Sequence, residues 1–389
     1  MIRNVKIYPV FNSKGEETIK VKVRTIKHFY TASIPSGTSK GRHEAKELPF
    51  KKIFELFPKI RSDIVGLDET DWITNDKVLE QTDGTKNFSK IGVNLALGIS
   101  LAVARAASDG ELWRLEGPKR RFRFPYPLGN VIGGGQHGGY STFQEFLVLP
   151  HRAKDPVEAT KTNLEAWKTI GEELGKKKVL LGRNIENAWM CKLDELKTLN
   201  LLSEIAEDFN LKIGIDVAAS SFWDGKKYLY KDKVYNSADQ LEFLLQLAKM
   251  FKLYYIEDPF HEDDFEGFAE LNKQLKNTLV VGDDLYCTNP ERIMNGIQSK
   301  STNSAMIKPN QIGTLYQVQK VIDLLMENNL VPVASHRSGE TEDDWIADIS
   351  IMWNIPIIKI GNLGPDLPKH NRLAELWGDI PHNEMAKLP

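Results

Sequence analysis

From residue 3 to residue 33, apolar and polar side chains alternate with a period of two, in VKIYPVF, TIKVKVRT and HFYTASI, with a turn at Asn12-Ser13-Lys14-Gly15. Such alternation turns one face of each segment to a core and predicts an antiparallel meander. Pro35-Ser36-Gly37-Thr38-Ser39-Lys40-Gly41 follows. It is too rich in glycine and hydroxyls for a regular element, and reads either as a plain loop or as a hinged flap that closes over a ligand and excludes water. Between about Lys51 and Ala107 the period becomes helical, in KKIFELFPKI and KIGVNLALGISLAVARAA, the second apolar on nearly every side and so expected to be buried. Residues 1–124 are therefore expected to form a first domain of α+β type, which the chain leaves through RFRFPYPLG.

From residue 125 to 389 the pattern becomes a repeat. Strand-like YPLGNVIGG and TFQEFLVLP come first with no long helix between them, followed by a helix from Asp155 to about Lys177 and the strand-like KVLLG. Apolar runs at LKIGID, YYIEDPF, LVVGDD, SAMIKP, VPVASH and PIIKIG then alternate with helical segments. This alternation predicts a closed α/β barrel of eight strands with its chemistry at the strand carboxyl ends.

The strand ends carry charge. LKIGID runs into Asp216, YYIEDPF into Glu257 and Asp258, and LVVGDD into Asp283 and Asp284. One acidic residue after a strand is usually a helix cap, but three on parallel neighbours make a site of oxygen ligands for a hard cation such as Mg2+. Asp283 is the expected ligand of its pair and Asp284 the residue that orients its neighbours. The same rim collects His137, Gln144, Glu145, Lys308, His336, Arg337 and Lys359. A lysine there is either the partner of a neighbouring acid or, if a cation or the other lysine lowers its pKa, a proton acceptor. His336-Arg337-Ser338-Gly339-Glu340 is expected to open a helix, with Ser338 as its N-cap and its amides and guanidinium forming an anion site.

Composition narrows the partners. A formal charge of −2, with 27% charged and 41% hydrophobic residues, describes an ordinary globular chain and gives no reason to expect nucleic acid. Only two cysteines, no signal-like amino terminus and no apolar run of membrane-spanning length lead to the expectation of a cytoplasmic protein that does not engage a membrane.

The segments IPSGTSKGRHEAKEL, TDGTKNFSKIGVNLALGISLA, TFQEFLVLP, IGIDVAAS, IEDPF, VGDDLYCTNP, IKPNQIGT and SHRSGETEDDWIADI resemble the enolase (phosphopyruvate hydratase) family, in order and over nearly the whole chain. The resemblance implies an amino-terminal capping domain and a barrel that opens ββαα. It also implies Mg2+, a homodimer or higher homo-oligomer, and interconversion of 2-phosphoglycerate and phosphoenolpyruvate, as in glycolysis and gluconeogenesis. Carried over by motif, Asp216, Glu257 and Asp283 resemble the ligands of one magnesium and Ser39 the loop ligand of a second. Lys308 resembles the base and Lys359 the contact to the substrate carboxylate. Arg337 and Ser338 resemble the phosphate clamp, and His137, Glu145 and His336 substrate-side residues; Gln144 and Ser36 join the expected binding set.

One motif departs. The family's GDEGGFAP segment, expected at the end of the third barrel strand, is matched by Gly182-Arg183-Asn184-Ile185-Glu186-Asn187-Ala188-Trp189, which puts the neutral Asn184 where the acid glutamate belongs. Glu186, two residues on, or Glu145 is then the candidate acid. NSKGEE in place of DSRGNPT, and GNLGPD after the last strand, are smaller departures. Three readings follow: a working divergent enolase, a superfamily relative acting on another phosphorylated carboxylic acid, or a catalytically silent binding protein.

Overall fold

The computed structural model describes residues 1–37, 41–117 and 121–389. The expected meander is present as β1 (Asn4–Phe11), β2 (Glu17–Arg24) and β3 (Phe29–Ser33), paired antiparallel. Val5, Ile7, Ile19, Val21 and Val23 form its buried face. Two helices, α1 (Phe50–Ile64) and α2 (Trp72–Asp83), lead to α3 (Val93–Ala107), in which all residues but Arg105 and Ala107 are buried. Close packing of α3 on the sheet depends on Gly98, where a Cβ would lie 2.5 Å from Val21 Cγ2.

The second part is the barrel, beginning with β4 (Tyr126–Gly133), β5 (Glu145–Leu149) and α4 (Pro156–Lys176), which starts at an Asp155 cap. After α4 the chain makes a hairpin, β6 (Leu180–Arg183) and β7 (Trp189–Cys191), and then α5 (Glu195–Asp208). From there it alternates: β8 (Lys212–Asp216), α6 (Ser237–Phe251), β9 (Tyr255–Glu257), α7 (Phe265–Gln274), β10 (Leu279–Gly282) and α8 (Pro290–Ser299). It ends with β11 (Ser304–Ile307), α9 (Leu315–Glu327), β12 (Val331–Ser335), α10 (Trp345–Met352), β13 (Ile357–Gly361) and α11 (Leu367–Asp379). Ten strands share one sheet, and pairing of β13 with β4 closes eight of them into a barrel, leaving the hairpin outside. β5 runs antiparallel to both its neighbours, as a ββαα opening requires.

KVLLG is therefore not a barrel stave, contrary to its apolar run. Leu180 and Leu181 are exposed, and the hairpin joins the sheet where Ile132 and Gly133, at the far end of β4, pair with Trp189 and Met190. The nearer half of β4 is already taken by β13. As a consequence, the segment 184–188 is the tip of a hairpin laid against the rim rather than the end of the third barrel strand.

The expected helix start at His336 is also corrected. Gly339 pairs with Ser36 of the first domain through two backbone hydrogen bonds of 2.9 Å, and Glu340 Oε1 accepts from the Arg337 amide, so the chain forms no helix until α10 begins at Trp345. Ser338 is not a cap. The segment instead ties the two domains together, an effect reinforced by Arg105 of α3, which holds Asp343 at 2.7 Å.

Candidate active site

Pairing in register sets the rim. Glu257 lies beside Asp216 on adjacent parallel strands, Glu145 lies beside Asp216 on the other side, and Asp283 follows β10 directly. His137, Gln144, Glu145, Glu186, Asp216, Asp283, Lys308, His336, Arg337, Ser338 and Lys359 all line one cavity of about 30 Å³. Gly37 roofs it; a Cβ there would overlap the Arg337 guanidinium. A second cavity of about 310 Å³ adjoins it and shares Gln144, Asp216 and Asp283. Another, of about 340 Å³ at the domain boundary, includes Gln311, which donates to Asp283, but none of the rim residues.

The carboxylates are neutralised by lysines. Lys359 Nζ lies 2.7 Å from Glu145 Oε2, 3.1 Å from Asp216 Oδ2 and 2.7 Å from Glu257 Oε2, and Lys308 Nζ is bonded to Asp283. Lys359 and the four carboxylates are buried and Lys308 nearly so, and each lysine replaces lost hydration with opposite charge. Burial disfavours the Lys308 ammonium, but Asp283 outweighs it and the pKa is raised; Asp216, Glu145 and Glu257 do the same for Lys359. In this state both lysines hold protons, the opposite of what a base needs.

A cation fits the donor set. Glu257 Oε1 is buried without a hydrogen-bond partner, Tyr255 Oη donates to Oε2 at 2.8 Å, and burial, with Asp216 next, drives the Glu257 pKa well above the carboxylate range. That is the signature of an oxygen site short of positive charge. Orientation of the neighbours falls to Asp258, not to Asp284 as expected: its two oxygens accept from the amides of Asp283 at 2.9 Å and Asp284 at 2.7 Å. Asp258, Asp283 and Asp284 place oxygens close enough together to hold an ion, and so do a ring nitrogen of His137 and carboxylate oxygens of Glu145 and Glu186. Ser39 lies outside the described residues. Ser36 sits beside the roof, its hydroxyl accepting from Asn12 Nδ2 at 2.7 Å.

The hairpin tip brings a further carboxyl to the cavity. Asn184 Oδ1 accepts from the amides of Glu186 at 3.0 Å and Ala188 at 2.9 Å, closing a turn in which Asn187 has φ +62°. Asn184 thus shapes the loop, and Glu186 is the residue that projects into the cavity. Its Oε2 accepts from Asn130 Nδ2 at 3.0 Å and lies 3.5 Å from His137 Nδ1; Glu145 Oε1 lies 3.4 Å from the same nitrogen. The position that the motif comparison gives to Asn184 thus carries turn chemistry, and the nearest carboxyl in the cavity from this segment is two residues on, with Asn187 in the left-handed conformation that favours glycine.

Burial raises the Glu186 pKa, partly opposed by His137. Burial also works against the Glu145 carboxylate, but Lys359 and His137 outweigh it and hold the pKa below the ordinary range. For His137, Glu186 and Glu145 together overcome burial and push the pKa up to about 9.

Several contributors escaped the sequence reading. Glu44, inside GRHEAKEL, holds Arg337 at 3.2 Å deep in the domain boundary, Asn310 Oδ1 accepts from the same guanidinium, and Gln311 links Glu44 to Asp283. Their segments were among those that carry the resemblance, but no local pattern marks a residue whose partner lies nearly three hundred positions away.

The family description "Enolase, N-terminal domain" matches residues 2–115, and "Enolase, C-terminal TIM barrel domain" matches residues 121–380. The chain is 38% identical to the enolase of Archaeoglobus fulgidus over 97% of each chain. It is 36% identical to that of Methanothermobacter thermautotrophicus over 100% of this chain and 99% of the relative, and 38% identical to that of Pyrobaculum aerophilum over 93% of each. No helix among the described residues is long and apolar enough to cross a membrane. Capping sheet, ββαα barrel, acidic rim and full-length similarity agree: the chain belongs to the enolase family.

Proposed function

We propose that this chain is a working magnesium-dependent enolase that interconverts 2-phosphoglycerate and phosphoenolpyruvate. The observation that carries the proposal is the Glu186 carboxyl, delivered by the hairpin tip into the same cavity as Lys308 and Lys359. With that acid in place, the reasons for preferring another substrate or a silent protein lose their ground.

Lys308 takes the proton from the carbon beside the substrate carboxylate. The electron pair left behind forms the double bond, and the hydroxyl on the next carbon departs as water with a proton from Glu186. Lys359 contacts the carboxylate end, Arg337 and Ser338 the phosphate, and His137, held between Glu145 and Glu186, keeps positive charge beside the leaving group. Asp216, Glu257 and Asp283 would hold Mg2+, which would supply charge for the developing dianion and would draw these carboxylates away from the lysines that they otherwise keep protonated. Gln144 Nε2 donates to Asp216 Oδ2 at 3.3 Å and fixes one wall of the site. Two free cysteines suit a reducing cytoplasm, and the family resemblance supports a homodimer or higher homo-oligomer.

The test is the absorbance of phosphoenolpyruvate formed from 2-phosphoglycerate with Mg2+, repeated with EDTA. Turnover that EDTA abolishes supports the proposal; no metal-dependent turnover refutes it.

A further inference from the structure

His336 ends its strand with both faces engaged. Its side chain lines the active cavity, while Nδ1 lies 2.9 Å from Asp366 Oδ2, with the two side chains 4% and 1% exposed. Asp366 comes from the GNLGPD segment after the last barrel strand, where the sequence departs from its relatives' usual pattern. The carboxylate is itself held in place. Oδ2 also accepts from the Gly361 amide at 3.0 Å, and a Cβ at Gly361 would lie 2.6 Å from that oxygen, so glycine there lets the strand end approach the carboxylate. On its other side Lys369 Nζ lies 3.5 Å from Asp366 Oδ1 and 3.0 Å from Glu340 Oε2, and Glu340 in turn accepts from the Arg337 amide.

We propose that Asp366 is a positioning residue for the reaction, fixing the proton of His336 on Nδ1 and leaving Nε2 turned to the substrate. A neutral imidazole can carry its proton on either nitrogen, and the partner of one nitrogen decides what the other offers. With an acceptor carboxylate buried against Nδ1, the proton sits there. The Lys369–Glu340 pair extends the same frame to the backbone of Arg337, so the two site residues of this loop are held by one buried charge chain. Burial opposes protonation of the ring, while Asp366 and then Glu186 raise its pKa, so the site side of the ring can carry charge when the substrate needs it.

The inference rests on the proposed lyase reaction, and the experiment separates the two. Asp366→Asn keeps the shape and an acceptor oxygen for the Gly361 amide but removes the charge. We expect kcat to fall roughly ten- to hundredfold with KM changed less than about threefold. In a His336→Gln background the same substitution should lower kcat less than about twofold, because a residue acting through His336 has nothing left to act through. Unchanged kcat in Asp366→Asn, or an equal loss in both backgrounds, overturns the proposal. Selective 15N-histidine labelling of the unsubstituted protein, with His336 assigned through His336→Gln, gives a reading that needs neither turnover nor a folded Asp366 variant. A proton on Nδ1, alone or with Nε2, supports the assignment; a ring protonated on Nε2 alone refutes it. Absence of turnover in the unsubstituted chain would count against the lyase reading and leave this measurement standing.

Discussion

Glu145 and Glu186 flank the same nitrogen of His137, at 3.4 and 3.5 Å, yet their surroundings drive their pKa values in opposite directions. The difference lies in Lys359, which contacts Glu145 at 2.7 Å and makes no ion pair with Glu186. Glu145 therefore stays ionised, and Glu186 is the one that can hold a proton to donate. The rate of phosphoenolpyruvate formation should fall as pH rises through the Glu186 pKa. Because burial raises that pKa and the His137 charge opposes it, His137→Asn should move the alkaline limb to higher pH while lowering the maximum rate. A pH–rate profile with that limb unmoved or shifted down would count against the assignment.

Lys359 stands among three buried carboxylates when no metal is bound. Lys359→Met would leave Glu145, Asp216 and Glu257 without their shared cation. Urea unfolding in EDTA should show a loss of about 3–5 kcal/mol, the usual result of breaking a buried charge pair. Mg2+ should recover part of that loss by supplying charge to the same oxygens. A loss below about 1 kcal/mol would mean that the carboxylates are neutralised in another way.

The hairpin tip is held from behind by two indoles. Trp167 and Trp189 stack with ring centres 4.3 Å apart, Trp167 Nε1 donates to the Asn187 carbonyl at 2.9 Å, and Trp189 Nε1 donates to the Trp167 carbonyl at 2.7 Å. Trp167→Phe keeps the stack but loses the bond next to Glu186. We expect kcat to drop by about tenfold, within the range for small misplacement of a reacting group, with Mg2+ affinity by calorimetry unchanged. An equal loss of Mg2+ affinity would show that the substitution disturbs the whole rim.

Far from the site, Asp76 of α2 is fully buried, accepting from Ser100 Oγ at 2.9 Å and the Tyr316 amide at 2.9 Å. Burial raises its pKa to about 7, more than those hydrogen bonds lower it. The folded value lies above the unfolded one, so its contribution to stability is present at acid pH and lost as pH rises through 7. The loss runs at up to about 1.4 kcal/mol per pH unit between the unfolded carboxyl value, about 3.9, and the folded one, and levels off above it. Asp76→Asn should flatten this decline between about pH 4 and 7 in denaturant titrations. Parallel declines in both proteins would assign the pH dependence to other groups.

The barrel, its cap and its acidic rim were legible because apolar runs of strand length each ended in a charged residue, and that pattern survives in a single chain. KVLLG was misread because an exposed hairpin strand and a buried stave share the same apolar letters, and only pairing distinguishes them. Ser338 looked like a helix cap because a serine before an acidic, apolar stretch usually is one; its neighbour Gly339 is instead bridged to Ser36, some three hundred residues earlier. Asn184 was read as the missing acid because the motif was placed by its leading glycine. The turn that Asn184 and Asn187 make carries the Glu186 carboxyl into the cavity instead, and no spacing rule reveals that before the loop is built.

The most direct test separates proton removal from loss of the hydroxyl. In D2O with Mg2+, the exchange of the 2-phosphoglycerate C2 hydrogen is followed by NMR alongside phosphoenolpyruvate formation, for the unsubstituted chain and for Glu186→Gln. With Lys308 as base and Glu186 as acid, Glu186→Gln should keep C2 exchange within about tenfold while product formation falls by roughly a hundredfold or more. Product formation at the unsubstituted rate in Glu186→Gln, or loss of exchange to the same degree as product, would contradict it.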